Sequence, residues 1–150
     1  MLVRRVAEIR WLVSRGHPAG PLVPSVARCF VVLACVKLRL AIFGLGRTIR
    51  WVKRCAASVL ANENVSAECV TAYEYAVAMA AALYPGRAMC LERSLALFYL
   101  ARRAGIPVTY HHGVRPTPFL AHAWVEYCGR VLNDAEEHVN LFQRFPQVSP

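Results

Sequence analysis

The chain has 150 residues, 57% of them hydrophobic, and carries 18 Lys and Arg against 9 Asp and Glu, a formal net charge of +9. That length fits a single domain with a buried core, and the charge favours acidic partners: an acidic peptide, an acidic protein or anionic lipid. No DNA- or RNA-binding motif and no interleaving of aromatic with basic residues accompanies it, which sets nucleic acid aside.

From Met1 to Arg15, Leu2, Val6, Ile9 and Val13 recur at helical spacing, with Arg4, Arg5 and Arg10 elsewhere on the helix. The arginine-first start has the look of a signal peptide. Glu8 and Arg10 interrupt its apolar run, however, and no small-residue cleavage site follows. A cytoplasmic protein is expected. Gly16 to Pro24 reads as a loop on composition. Phe30 to Leu45 is the most apolar stretch, yet Arg28, Lys37 and Arg39 are expected to leave no run near the ~18 residues a membrane span needs. Two readings follow: a core or interface helix pair broken near Gly44–Gly46, or a basic amphipathic segment that docks on a membrane or on partner enzymes. Arg47 to Leu60 is a second basic helical stretch, with Trp51, Cys55 and Val59 at four-residue spacing. Residues 1–60 thus form a helical, basic and apolar N-terminal region, and residues 61–150 hold the residues with chemical promise. One compact domain is expected to contain both.

Ser66 is a natural N-cap for a helix running to Leu83, with Val70, Tyr73, Val77, Ala80 and Tyr84 as its apolar stripe. Pro85-Gly86 ends it and leads through Arg87 and Ala88 to Cys90. From Leu91 to Arg103 there is no Gly or Pro, and Leu91, Leu95, Phe98 and Arg102 trace one face. Glu92 in the first turn and Arg102 and Arg103 in the last suit the helix dipole, and Gly105 with Pro107 makes a strong stop. Cys90 therefore stands at a helix start. Unpaired backbone N–H groups and the positive dipole end favour thiolate over thiol there, and the same groups can hold an oxyanion.

Ala121 to Tyr127 reads as a strand rich in Trp, Val and Tyr, with His122, Trp124 and Glu126 on one face. Gly129 marks a turn and Val131-Leu132 resumes extended structure. A three-residue loop, Cys128 to Arg130, would bring Asp134 diagonal to His122; a two-residue loop would turn it to the wrong face. Asp134 is the single aspartate of the chain, and Asn133 is the alternative if the register slips by one. Glu126 shares the face of His122, but two residues along one strand is poor geometry for bonding the same imidazole. Cysteine, histidine and aspartate thus follow in the order nucleophile, base and orienter that a thiol hydrolase needs.

The remaining candidates have plainer readings. No export signal accompanies the six cysteines, and their spacings are irregular. Cys29, Cys35, Cys55 and Cys69 read as small core or interface residues, and Cys128 as an exposed bystander in a turn. His111 and His112 are adjacent on a strand and point to opposite faces, so at most one lines a site. His17 and His138 carry no signal. A zinc site from Cys90, Cys128 and His111 or His122 lacks close paired spacing. No metal and no cofactor are expected.

The stretches CLERSLAL from Cys90, AHAWVE from Ala121 and VLND from Val131 resemble the B2 proteins of lasso peptide biosynthesis, which are transglutaminase-like cysteine peptidases. The resemblance implies an α+β, transglutaminase-like (papain-like) fold, a helical N-terminal half packed on a small antiparallel sheet. It places the family's nucleophile on Cys90, its histidine on His122 and its acid on Asp134. It implies removal of a leader from a ribosomally made precursor peptide, which frees the core's amino terminus for macrolactam closure by a partner cyclase. Leader recognition would reside in a separate B1 protein, since no such domain is evident in the sequence. Arg87, Trp124 and Arg115 are candidate substrate contacts. Surface charge is the plainer reading of the arginines, and flanking His122 to screen it from water, or packing in the core, are the other readings of Trp124. Another thiol acyltransferase, or a non-catalytic partner-binding module, would also fit the residues, and weak membrane association through the apolar N-terminal half stays open.

Overall fold

The structure is a computed structural model that describes residues 24–57, 59–62 and 65–146. The helical reading of Met1 to Arg15, most of the Gly16 to Pro24 loop, His17 and the tail from Gln147 lie outside the described residues. The elements in chain order are α1 (Val26–Ala57), α2 (Ala67–Leu83), α3 (Cys90–Arg103), β1 (Thr109–Arg115), β2 (Leu120–Tyr127), β3 (Arg130–Val131), α4 (Glu136–Val139) and β4 (Gln143–Arg144). Helix α3 is central: it packs on α1 and α2, and also on β1 and β2.

Helix α1 buries Cys29, Leu33 and Val36 in its first half and Thr48, Val52 and Ala56 in its second. Between them Gly44 adopts φ 72°, ψ 178° and breaks the helix, the break expected near Gly44–Gly46. A left-handed φ there suits glycine. Thr48 Oγ1 donates to the Gly44 carbonyl at 2.8 Å, so the break keeps a hydrogen-bonded partner. The expected lack of a span-length run does not hold. An 18-residue window of α1 reaches a mean hydropathy of 2.1 with no more than two charged residues, and 17% of it is buried. The aliphatic side chains outweigh the few charges between them, and by length and composition alone the helix could cross a membrane.

Ser66 caps α2 as its sequence suggests, its Oγ accepting the Cys69 N–H at 3.3 Å. Small buried residues at Ala72, Ala76 and Ala80 let α2 approach its neighbours closely. The antiparallel sheet runs β3-β2-β1-β4. Tyr110, Ala123, Val125 and Leu132 join Cys29, Leu33, Leu95 and Phe98 in one core. Trp124 belongs to a second cluster with Val131, Val139 and Phe142, in which the C-terminal segment covers the other sheet face. Leu141 and Phe145 remain about half exposed.

Candidate active site

Cys90 is the first residue of α3, after Met89 as N-cap, and the Glu92 carboxylate accepts the Met89 N–H. The thiol is half-buried and hydrogen-bonds with His122, and the backbone N–H groups of Ala123 and Leu91 also donate to its sulfur. On the other side of the imidazole, His122 Nε2 lies 2.6 Å from Asp134 Oδ2. With Nε2 on the carboxylate, Nδ1 is the nitrogen left for the thiol. The His122 ring stacks on Trp124 with centroids 6.0 Å apart and tilts against Phe142 at 5.0 Å. These rings hold the imidazole in a largely water-free slot.

Asp134 reaches His122 by a route the strand pattern did not suggest. The β2–β3 loop has two residues, not three: Tyr127 pairs with Arg130, and Cys128 and Gly129 both have positive φ (49° and 79°). Strict pairing beyond that tight turn would send Asp134 to the wrong face. Instead β3 ends at Val131. Leu132 N–H still donates to the Val125 carbonyl at 2.9 Å, but the Val125 N–H turns to Asn133 Oδ1 at 2.8 Å. The side chain replaces a backbone carbonyl in the ladder, the chain bends away, and Asp134 swings back to His122.

A buried polar chain fixes this arrangement. Ser94, one turn beyond Cys90 and fully buried, donates to the Ala123 carbonyl at 2.8 Å and accepts from Asn133 Nδ2 at 2.8 Å. Each member neighbours a site residue: Ser94 is one turn from Cys90, Ala123 adjoins His122, and Asn133 adjoins Asp134. Nothing in the apolar periodicity of α3 marked Ser94. Its signal is a small hydroxyl in the middle of a buried helix face, where burial demands a partner.

Residues 32–146 match the profile of the transglutaminase-like superfamily. The chain belongs to the transglutaminase-like superfamily. No curated protein and no solved structure matches it. The matched span runs from within α1 to just past β4, so the helices and the four-stranded sheet together are the α+β transglutaminase-like domain.

The electrostatics of this transglutaminase-like site follow from its contacts. Burial opposes charge on Cys90, yet the hydrogen bond and charge of His122, with the Ala123 and Leu91 N–H groups, outweigh it and lower the thiol pKa. Burial likewise works against a charged His122, but hydrogen bonds to Asp134 and Cys90 and their charges raise it to about 9. Burial pushes Asp134 up, and hydrogen bonds from His122, the Ala135 N–H and His138 overcome that and bring it down to about 2. All three shifts favour a thiolate–imidazolium pair beside a carboxylate.

His138 is the residue sequence reasoning missed. Its Nδ1 lies 3.1 Å from both oxygens of Asp134, and its ring meets His122 edge-on at 4.9 Å. The four-residue step from Asp134 to His138, entering α4, was the available signal. The donor atoms of His122, Asp134 and His138 lie within 4.8 Å of one another, a set able to take a divalent cation, although the same atoms form the contacts just described.

The other candidates fall elsewhere. Trp124, read as a substrate contact, is fully buried; its Nε1 donates to Glu126 Oε1 at 2.9 Å and its ring lies between those of His111 and His122. Glu126 serves Trp124, His111 and Arg144 rather than His122. His112 stacks on Tyr110 and tilts against Phe145. Arg115 holds its guanidinium 6.0 Å over the Phe142 ring, beside the site. Arg87 is exposed three residues before Cys90, its carbonyl bonded by Lys37 Nζ at 2.8 Å. Cys128 is exposed in its turn.

Proposed function

We propose that this protein is a cysteine peptidase that removes the leader from a ribosomally made lasso precursor peptide. The observation that carries the chemistry is the contact chain Cys90–His122–Asp134, with the pKa directions of a thiolate–imidazolium pair. The substrate class rests on the resemblance of the Cys90, Ala121 and Val131 stretches to B2 proteins, and superfamily membership is compatible with it.

The reaction runs in two halves. The Cys90 thiolate adds to the carbonyl carbon at the leader–core junction, and the oxyanion is held by the Cys90 N–H at the helix start, which has no intrahelical acceptor. His122 gives its Nδ1 proton to the departing amine, the C–N bond breaks, and the core leaves with a free amino terminus. The leader remains as a thioester. His122 then takes a proton from water, the hydroxide displaces the thiolate, and a leader carboxylate is released. Asp134 keeps the ring's Nε2–H oriented throughout. Arg87 and Arg115, flanking the site, are the proposed contacts for an acidic leader; a B1 protein presents that leader and a cyclase consumes the freed amine.

Mass spectrometry of a lasso precursor peptide incubated with the protein, with and without a B1 partner, tests this. A single cut at the leader–core junction that is lost in Cys90→Ala is expected. Capture of the acyl group by an added amine in preference to water would make the protein an acyltransferase. Equal activity in Cys90→Ala would sink the peptidase assignment.

A further inference from the structure

Helix α1 commits only one of its faces to the core. Cys29, Leu33 and Val36 are buried, whereas Val31, Leu38 and Ile42 are 60%, 61% and 62% exposed, with exposed Cys35 among them. Positions 31, 35, 38 and 42 alternate steps of four and three, so their side chains form one stripe. They run two residues out of phase with 29, 33 and 36, which at 3.6 residues per turn is the opposite side of the helix. Phe43 and Leu45 carry the apolar surface across the Gly44 break. Beyond it Arg47, Arg50 and Arg54, all exposed, line up at steps of three and four.

Charge selects the occupant. Val26–Ala57 contains seven basic residues and no acidic one. A second copy of this helix would set like charge against like. Protein interfaces enrich aromatic residues and methionine, whereas this stripe is mainly aliphatic and runs into arginines, the composition of a helix lying on an anionic lipid surface. Crossing the bilayer is a poorer fit, because the far face of α1 packs with α2 and α3 in the main core. We infer that α1 docks the domain on an anionic bilayer surface. Val31, Leu38 and Ile42 enter the boundary between headgroups and acyl chains, and Arg47, Arg50 and Arg54 lie against lipid phosphates. The inference is independent of the reaction assigned to Cys90.

The test is co-sedimentation of the full chain with phosphatidylglycerol-containing vesicles and with vesicles of phosphatidylcholine alone. Binding to the anionic vesicles that weakens with salt is expected. Each arginine near an anionic surface contributes roughly fivefold in affinity, so Arg47→Gln, Arg50→Gln and Arg54→Gln together reduce it about 100-fold. Leu38→Glu with Ile42→Glu abolishes it. All five positions are exposed, and unchanged circular dichroism and thermal midpoint confirm that the variants fold. Peptide-mapped maleimide labelling adds a local readout: vesicles slow labelling at Cys35 and leave exposed Cys128 unaffected. Absence of binding, equal binding to phosphatidylcholine alone, or binding indifferent to these substitutions overturns the inference. So does protection of Cys35 by a second copy or by an acidic partner protein while vesicles leave it open.

Discussion

The side chain of Asn133 takes a place on strand β2 that a backbone carbonyl would otherwise fill, accepting the Val125 N–H at 2.8 Å. Its amide also donates to Ser94, whose hydroxyl donates to the Ala123 carbonyl. The strand bearing His122, the helix bearing Cys90 and the bend bearing Asp134 therefore share one buried polar connection.

Removing that connection should cost both stability and turnover. Ser94→Ala leaves the Ala123 carbonyl and the Asn133 amide short of a buried partner, a loss of roughly 1–3 kcal/mol. Asn133→Leu also strips the Val125 N–H and should cost more. Thermal melts measure the stability term. If these residues also position the site, kcat falls about tenfold with little change in KM, and Cys90 alkylation slows at neutral pH. A merely structural role would lower the melting temperature and leave kcat and alkylation unchanged.

The pH dependence follows from the signs of two shifts. The competent pair needs Cys90 without its proton and His122 with one. Cys90 is lowered and His122 raised to about 9, so kcat/KM should rise on the acid side as the thiol ionises. It should hold a plateau through neutral pH and fall near pH 9 as His122 deprotonates. Steady-state rates from pH 4 to 10 check this. A profile still rising at pH 10 would mean that the fully deprotonated form, thiolate beside neutral His122, is the active one, and would overturn the need for an imidazolium.

Asp134 and His138 should separate in size. Asp134→Asn removes the charge that supports the imidazolium; a drop of roughly 10²–10⁴ in kcat is expected, and the alkaline fall should move to lower pH. His138 touches Asp134 only from the exposed side, so His138→Gln should cost less than about tenfold. Asp134 also sets an acid dependence of stability. Its pKa is depressed to about 2, so its contribution of roughly 2 kcal/mol is complete above the ordinary carboxylate pKa and is lost as pH falls through about 2. Urea midpoints at pH 2 and pH 6 should differ less in Asp134→Asn than in the parent.

Local physics made much of this legible in the sequence. The helix starting at Cys90, its Glu92 and arginine ends, the Ser66 cap and the Gly44 break all follow from propensity and capping, which act over one or two turns. The spatial order His122, Trp124, Glu126 follows from strand period. What escaped depends on where a side chain takes over from the backbone. The two-residue Cys128-Gly129 turn argued against Asp134, and only the Asn133 substitution in the ladder reverses that outcome. His138 escaped because its four-residue step to Asp134 gains meaning only once Asp134 itself has bent back to His122, which the strand pattern argued against. Of the readings Trp124 offered, flanking His122 and core packing hold and substrate contact does not; the C-terminal Val139 and Phe142 that bury it lie too far along the chain to have been placed.

Two glycines make opposite predictions. Gly113 on β1 sits opposite His122 on β2 and opposite Arg144 on β4. A Cβ there would collide with the Gln143 carbonyl, which is backbone and cannot step aside. Gly113→Ala should push β4 off the sheet edge, loosening the Arg144–Glu126 pair at 2.9 Å and the Phe145 N–H to His112 carbonyl bond at 3.0 Å. A loss of about 1–3 kcal/mol is expected, as for overpacking, together with lower activity to the extent that the strain passes into β1, whose Gly113 pairs with His122. Gly46 lies within helix α1, and a Cβ there meets only the flexible end of Arg50 at 3.7 Å. Gly46→Ala should stabilise the protein by up to about 1 kcal/mol through helix propensity. Paired thermal melts test both: a lower midpoint for Gly113→Ala and a higher one for Gly46→Ala. If Gly113→Ala melts like the parent, β4 is not held against β1 in solution as described.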